Sequence, residues 1–185
     1  MQKPNWPVRS SSYVIDSPFM RVRLDELELP SGSVVPYYVR ESHGFVMIFA
    51  LTSAREVVLV RQYRYGNDSI ALELPAGSLE AGEDPLACAK RELAEETGYT
   101  ASRWEPLVRI PAEPVRSTSM LHAFIAYDAV PTTAQHLDPT EIIEPHAVSL
   151  DELRDLARSG ELGSVACIAV TFAALDRLAT FTTSP

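Results

Sequence analysis

Three glutamates near the middle of the chain are spaced so that they would lie together on one helix. Glu92, Glu95 and Glu96 stand at positions i, i+3 and i+4 of a segment that reads LACAKRELAEETG, and residues at these spacings share a helical face. Their like charges repel one another in an isolated helix. A hard divalent cation such as Mg²⁺ or Mn²⁺, which prefers oxygen ligands, would turn this repulsion into coordination. The spacing therefore indicates a metal site.

The alternative interpretation is a solvated acidic face, which is what most charge runs on helices are. Two observations weigh against it. Arg91 stands four residues before Glu95 and can hold that carboxylate through an ion pair. The preceding segment 74–77, LPAG, closes an apolar run and then turns, so its backbone carbonyl groups could reach the same cation. Ligands from a loop and a helix together favour a site over a surface.

The helix that carries these side chains has signals at both ends. Asp84 precedes Pro85, the arrangement of an N-cap residue followed by proline at the first helical position. Three apolar residues repeat at spacings of three and four and form one stripe: Leu86, Ala89 and Leu93. Gly98 follows the last turn, where glycine commonly ends a helix. These signals predict a helix over 85–97.

The stretch from Gly77 to Tyr99 resembles the Nudix box, the signature of the Nudix hydrolases. Gly77 is followed after five residues by Glu83, and seven residues later by RELAEETGY at 91–99. Tyr99 stands where the family more often has an aliphatic residue. A pattern with this many fixed positions is far more specific than a lone glycine motif. The resemblance implies an α/β (α+β) Nudix fold, with a mixed β-sheet sandwiched between helices.

The resemblance also implies a metal site for a hydrolase that cleaves a diphosphate bond. Glu92, Glu95 and Glu96 would hold Mg²⁺, with Mn²⁺ as the alternative, together with the backbone carbonyl group of Ala76. Arg91, with Glu83, would orient these carboxylates.

Enzymes that resemble this chain also use a loop glutamate as a base, or to orient the attacking water. The acidic segment 139–144, PTEIIE, supplies two candidates. Glu141 is the first choice and Glu144 the second, beside Glu95 from the box itself. A solvated connection is the alternative interpretation of this loop.

Two further strings, QYR at 62–64 and LELPAG at 72–77, resemble the ADP-ribose pyrophosphatase branch of the family. There the arginine that matches Arg64 contacts the substrate diphosphate, and the glutamate that matches Glu73 lies near the site. The residue chemistry agrees, because Gln62, Arg64 and Tyr65 end a predicted strand and offer a guanidinium for a phosphate and a ring for a base. A solvated strand end is the alternative.

Pro114 falls where the ADP-ribose branch has its downstream proline. That branch usually continues with glycine and an acidic residue, whereas here VRS follows at 115–117. The difference leaves room for a nucleoside diphosphate sugar other than ADP-ribose.

The first forty or so residues are predicted to form antiparallel β-structure, with strands at 13–15, 20–27 and 34–39 and a turn at 30–33. A hairpin of this size is marginal alone. The region resembles the N-terminal β-region of the ADP-ribose branch, which helps to form a dimer and part of the substrate site. We therefore expect an N-terminal β-extension over 1–42, a Nudix domain over 43–182 and a homodimer.

Composition excludes several classes of function. The 185 residues are 46% hydrophobic and 22% charged, which is typical of a soluble globular protein. A formal net charge of −9 argues against nucleic acid as a partner, since polyanion binding needs clusters of Lys and Arg. The N-terminal residues lack the apolar core of a secretory signal, and the apolar segments are too short to span a bilayer. We expect a cytoplasmic protein without a membrane partner, whose Cys88 and Cys167 are buried thiols.

Three functions are compatible with these features. The leading hypothesis is a pyrophosphatase for ADP-ribose or a related nucleoside diphosphate sugar. The second is a Nudix hydrolase of another nucleoside polyphosphate or a dinucleotide, against which the N-terminal β-region and the two strings count. The third is a sensor that binds ADP-ribose without hydrolysis, against which the intact box counts.

Overall fold

The computed structural model describes residues 5–139 and 141–182. The chain divides into two compact units. The first comprises residues 5–44 and 111–120, and the second comprises the rest of the described chain. The domain boundary expected between residues 42 and 43 stays a prediction. Within the described ranges, no helix has both the length and the apolar character needed to cross a membrane.

The first unit contains a three-stranded antiparallel sheet in the order β1-β2-β3. Its strands are β1 (Val8–Asp16), β2 (Arg21–Glu28) and β3 (Val34–Glu41). Asp25 is buried within this sheet and accepts hydrogen bonds from Ser11 (2.6 Å) and Arg23 (2.9 Å). Segment 111–120 joins β3 through Arg40, whose N–H donates to the carbonyl of Arg116 at 2.8 Å. The expected N-terminal antiparallel β-structure is therefore present.

The second unit is built from strands and three helices, whose bounds follow the chain. The strands are β4 (Phe45–Leu51), β5 (Glu56–Arg64), β6 (Ser69–Glu73), β7 (Ala76–Ser78), β8 (Tyr99–Thr100), β9 (Arg103–Pro111), β10 (Met120–Tyr127), β11 (Val130–Pro131) and β12 (Ile143–Ser149). The helices are α1 (Pro85–Thr97), α2 (Leu150–Ser159) and α3 (Val165–Thr182).

Seven of these strands form one mixed sheet. The order along its main path is β12-β5-β4-β10-β9, with β6 paired to β5 and β7 paired to β4. Strands β4 and β10 are parallel, whereas β4 pairs with β5 and β7 in the antiparallel sense. Strands β8 and β11 form a separate antiparallel pair.

Strand β4 explains why the sheet lies between helices. Successive side chains of a strand point to opposite faces of the sheet. Val46 and Ile48 pack in a cluster with Leu93 of α1, whereas Met47 and Phe49 pack in a second cluster with residues of α2 and α3. Both faces of β4 are therefore buried, as its continuous apolar run predicts. The predicted fold, a mixed sheet between helices, is confirmed.

Helix α1 begins and ends where the sequence predicts. The Asp84 side chain caps it by accepting a hydrogen bond from the N–H of Ala87 at 2.9 Å. Gly98 ends it with φ of +72°, and its N–H donates to the carbonyl of Ala94. A residue without a Cβ adopts this left-handed conformation at little cost. The box residues from Arg91 to Glu96 therefore occupy the last two turns of a well-defined helix.

Candidate active site

The acidic face of α1 opens into a cleft of about 690 Å³ in the second unit. Glu92, Glu95 and Glu96 all line it. Opposite side chains come from the ends of β5 and β7 and from the loop before β12. The predicted residues among them are Gln62, Arg64, Ala76 and Glu141, and Arg91 lines the cleft from α1 itself. The structure therefore brings most of the predicted site residues to one concave surface.

Arg91 organises two of the glutamates. Its Nη1 donates to Glu92 Oε1 at 2.8 Å and to Glu95 Oε2 at 2.9 Å. The other edge of its guanidinium bonds to both carboxylate oxygens of Glu83, at 3.1 and 3.2 Å. These bonds hold the pKa of Glu83 below its usual range and raise that of Arg91. An arginine bonded in this bidentate way is held in one orientation, so the geometry supports an orienting role.

Glu96 is the most deeply buried of the three, with 4% of its surface exposed. Its Oε2 accepts a hydrogen bond from the N–H of Ala76 at 3.0 Å. Burial raises the pKa of Glu96 to about 8, and the negative charges of Glu92 and Glu141 act in the same direction. Burial also raises the pKa of Glu92. Carboxylates crowded in this way need a compensating positive charge.

A divalent cation fits the chemistry of these donors. The cleft offers carboxylate oxygens from Glu92, Glu95, Glu96 and Glu141, which are the ligands that hard cations prefer. Among the residues with described positions, no group of three His, Cys, Asp or Glu side chains already surrounds one point at ligand distances. Two of the four carboxylates point towards Arg91 in this arrangement.

The carboxylate of Glu92 lies where a side chain on residue 77 would otherwise stand. A Cβ built on Gly77 would overlap the carboxyl group of Glu92. Gly77 lies in β7, opposite Val46 of β4, so the backbone at this point is fixed by the sheet. The absence of a side chain at residue 77 therefore lets α1 bring its acidic face close to β7.

A second compartment of about 810 Å³ adjoins the acidic cleft. The two share six lining residues: Gln62, Arg64, Ala76, Gly77, Ser78 and Glu141. The second compartment is less polar, because Phe45, Met47 and Tyr65 contribute to it. The structure thus places a charged cleft beside a compartment with aromatic walls.

Arg64 lies at the junction of the two compartments. Its Nε donates to Glu73 Oε2 at 3.1 Å, and Nη2 contacts the same oxygen. Glu73 is buried, whereas about two fifths of the Arg64 side-chain surface is exposed. Tyr65 follows at the start of a short 3₁₀ turn, Tyr65–Asn67, and is 87% exposed. No described residue accepts a hydrogen bond from its Nη1, so this nitrogen can donate to an anion.

The loop after β11 is fastened to the last turn of α1. The N–H of Thr132 donates to the carbonyl of Gly98 and that of His136 to the carbonyl of Glu95, both at 2.9 Å. Gln135 Nε2 donates to the carbonyls of Glu96 (2.5 Å) and Ile143 (3.2 Å). These bonds tie the loop to the turn that carries the acidic cluster.

The same loop brings polar groups that sequence reasoning did not single out. His136 and Asp138 line the acidic cleft beside Glu141. Glu141 Oε2 accepts a hydrogen bond from the N–H of Asp138 at 3.2 Å. Ser164, at the start of α3, lines the second compartment. No spacing or motif marks these residues, so only their contacts identify them.

Two predicted residues are not among the residues that line the two compartments. Glu144 is exposed on β12, opposite Arg61, and lines a smaller pocket of about 140 Å³ with Ile142. Pro114 belongs to the first unit, where it is exposed in the turn within segment 111–120. The geometry within the second unit therefore favours Glu141 over Glu144 as the loop carboxylate.

Comparison with known proteins relates both regions of the chain to described families. Residues 42–166 match the NUDIX domain, and residues 6–39 match the nucleoside diphosphate sugar hydrolase N-terminal domain. A methanol dehydrogenase activator from Bacillus methanolicus is 34% identical over 134 residues, which cover 72% of each chain. An ADP-ribose pyrophosphatase from Bacillus subtilis is 32% identical over 140 residues, covering 75% of this chain and 76% of that one.

A solved structure shares the fold. The crystal structure of an ADP compounds hydrolase superposes with a TM-score of 0.86 at 22% sequence identity, and the alignment covers 97% of each chain.

Proposed function

Because the chain belongs to the NUDIX hydrolase family, we propose that it cleaves the diphosphate bond of ADP-ribose or a related nucleoside diphosphate sugar. The products would be a nucleoside monophosphate and a sugar phosphate. The observation that carries this proposal is the convergence of Glu92, Glu95, Glu96 and Glu141 on one cleft, next to Arg64. The match of residues 6–39 to a nucleoside diphosphate sugar hydrolase region supports the substrate class.

The acidic cluster would hold Mg²⁺, with Mn²⁺ as the alternative. Glu92, Glu95 and Glu96 supply carboxylate oxygens, and the carbonyl group of Ala76 is the candidate backbone ligand. When bound, the cation would polarise a phosphoryl oxygen, activate water and offset the negative charge that develops at phosphorus. Arg91 keeps two of the carboxylates in place through its hydrogen bonds.

Arg64 would bind the part of the diphosphate that the cation does not reach. Its guanidinium lies where the acidic cleft meets the compartment with aromatic walls, and a planar fork of N–H donors suits phosphate oxygens. Tyr65 and Phe45 then border the space next to the phosphates and offer apolar surface to a base or sugar. Glu73 holds the arginine in position.

Glu141 is the proposed general base. Its carboxylate lines both compartments, so it can reach a water molecule next to the diphosphate. The water oxygen forms a new bond to one phosphorus, the bridging P–O bond breaks, and the water proton passes to the carboxylate. The bridging oxygen leaves on the other phosphate.

Three further features belong to this proposal. We propose that the protein acts as a homodimer, which is consistent with the exposed apolar side chains Val14 and Ile15 on β1. Pro114, in the first unit, stays a proposed substrate contact. A cytoplasmic location remains a prediction from the composition.

The test is phosphate release, coupled to a phosphatase, from a panel of substrates with Mg²⁺. The panel contains ADP-ribose, ADP-glucose, GDP-mannose, a dinucleoside polyphosphate and ATP. Preference for ADP-ribose or another sugar nucleotide would support the proposal. Preference for ATP or the dinucleoside polyphosphate would contradict the proposed substrate class and support a Nudix hydrolase of nucleoside polyphosphates or dinucleotides. Binding of ADP-ribose without turnover of any compound would replace the enzyme by a sensor.

A further inference from the structure

Gln62 carries a buried acceptor that no described residue satisfies. Only 8% of its surface is exposed, and its Oε1 has no hydrogen-bond partner within the described part of the chain. A buried amide oxygen without a partner costs about 1–3 kcal/mol, so native structures contain few of them. The side chain lines both compartments of the active-site cleft. Oε1 itself has less than 1 Å² of accessible surface, so a ligand in the cleft would supply the missing partner once the amide turns towards it.

The position of Gln62 defines what that ligand group can be. Gln62 and Arg64 are two residues apart on β5, so their side chains leave the same face of the strand about 7 Å apart. If Arg64 binds the diphosphate, Gln62 reaches about one sugar ring beyond it. The group that meets an amide oxygen there must be a donor, and a phosphate oxygen is not one. A sugar hydroxyl is the donor that a sugar nucleotide offers at this distance.

We propose that Gln62 Oε1 accepts a hydrogen bond from a ribose hydroxyl of the bound nucleoside diphosphate sugar, and that this bond selects substrates that carry the hydroxyl. The inference rests on the proposed function, since it takes the diphosphate to lie at Arg64. A site built to bond a hydroxyl rejects analogues that lack it, because the buried polar group then stays unpaired. Gln62 is thus a residue that sets specificity.

The experiment compares wild-type protein with Gln62→Met on three substrates. Methionine has similar length and no comparable acceptor. The substrates are ADP-ribose, an analogue whose adenosine ribose lacks the 2′ and 3′ hydroxyls, and an analogue whose terminal sugar lacks the corresponding hydroxyls. We expect wild type to prefer ADP-ribose over one analogue by about tenfold in kcat/KM, and Gln62→Met to lose that preference. The analogue that wild type disfavours identifies which of the two sugars donates the hydrogen bond to Gln62.

Two further variants separate this role from a structural one. Gln62→Glu keeps an acceptor at the same place, so it should keep the preference even if its added charge lowers overall activity. Thr171→Val removes another buried acceptor without a described partner, in α3 and away from the cleft. It should leave the substrate preference unchanged. The melting temperatures of Gln62→Met and Thr171→Val should not fall, because neither variant loses a side-chain hydrogen bond to a described residue.

The outcomes distinguish the inference from the proposed function. If wild type hydrolyses ADP-ribose but Gln62→Met keeps the full preference, the inference is wrong and the function stands. Loss of the preference in Gln62→Glu would likewise overturn it, since Gln62 would then act as a donor. If wild type cleaves none of the three compounds, the proposed function fails first.

Discussion

The carboxyl group of Glu92 occupies the space in which a side chain on Gly77 would stand. Gly77 is held by the pairing of β7 with β4, and Glu92 is held by α1 and by Arg91. The Glu92 side chain could turn away from an added Cβ, but it would then lose its hydrogen bond to Arg91 and its place in the cleft. The φ of Gly77 does not lie in the left-handed region that favours glycine, so backbone conformation does not require a glycine here. Gly77 is needed because any side chain would displace the Glu92 carboxylate.

Gly77→Ala should lower kcat by about a hundredfold, because misplacing a reacting group by about 1 Å can cost this much. The measurement is steady-state hydrolysis of the best substrate in the panel. Gly32→Ala is the control for a glycine that is needed for its backbone conformation: Gly32 has φ of +82° and open space around it. It should lose about 1 kcal/mol of stability and keep its activity. Full activity of Gly77→Ala would contradict the argument.

Replacing either Glu95 or Glu96 by Gln should abolish most turnover. Each change removes a carboxylate from the proposed metal site, and we expect kcat to fall by about 10²–10³-fold. Mg²⁺ should raise the melting temperature of wild type, and the rise should shrink in Glu96→Gln.

Glu56→Gln is the control for this pair, since Glu56 is an exposed glutamate at the start of β5. It should retain both the activity and the stabilisation by Mg²⁺. If turnover survived both changes in the acidic cluster, the proposed mechanism would be wrong.

Gln135→Leu should release the loop that carries Glu141. The amide of Gln135 joins the carbonyl of Glu96 to that of Ile143, and leucine can donate to neither. We expect kcat to fall by about tenfold with a smaller change in KM, because the base and not the phosphate contact is displaced. Hydrogen exchange should quicken at the amide of His136 and stay slow in the middle of α1. Unchanged exchange with normal turnover would show that the loop is held by its backbone bonds alone.

Asp25 should make stability depend on pH. Hydrogen bonds from Arg23 hold the pKa of Asp25 below its usual value, and Ser11 adds to the effect. A depressed pKa stabilises the fold above the unfolded value of about 3.9, and this stability is lost as the pH falls through the folded value. Asp25→Asn should therefore lower the free energy of unfolding at pH 7 by about 1 kcal/mol, and its melting temperature should fall accordingly. The two proteins should converge once the pH falls below the folded pKa of Asp25, in thermal unfolding monitored by circular dichroism.

The parts of the fold that follow from the sequence are those with local signals. Helix α1 has a capping aspartate, a proline at its first position and a terminal glycine, so both of its ends were predictable. Strand β4 is a continuous apolar run and β10 is apolar apart from His122, and the observed bounds of both strands agree with these runs. The acidic spacing of the box likewise predicts that its three glutamates share a face.

The parts that did not follow depend on distant partners. Strand β1 extends from Val8 to Asp16, although only 13–15 was expected, because its serines bond to side chains of β2: Ser10 to Glu26 at 2.7 Å, for example. The sequence LELPAG at 72–77 looks like the end of one apolar run followed by a turn. In the structure, two separate strands, β6 and β7, occupy this part of the chain. The loop before β12 is ordered by bonds to backbone carbonyls of α1. Every residue type has such carbonyls, so composition cannot reveal these bonds.

Strand β4 lies between two hydrophobic clusters, and this has a consequence for how the chain can vary. Six of its seven residues are buried, so a substitution at nearly any position changes one of the two clusters, and truncation to alanine typically costs 2–5 kcal/mol. Strand β12 buries only Ile143 and Val148. In a library of single substitutions, we expect nearly every position of β4 to reject polar residues, whereas most positions of β12 should accept them.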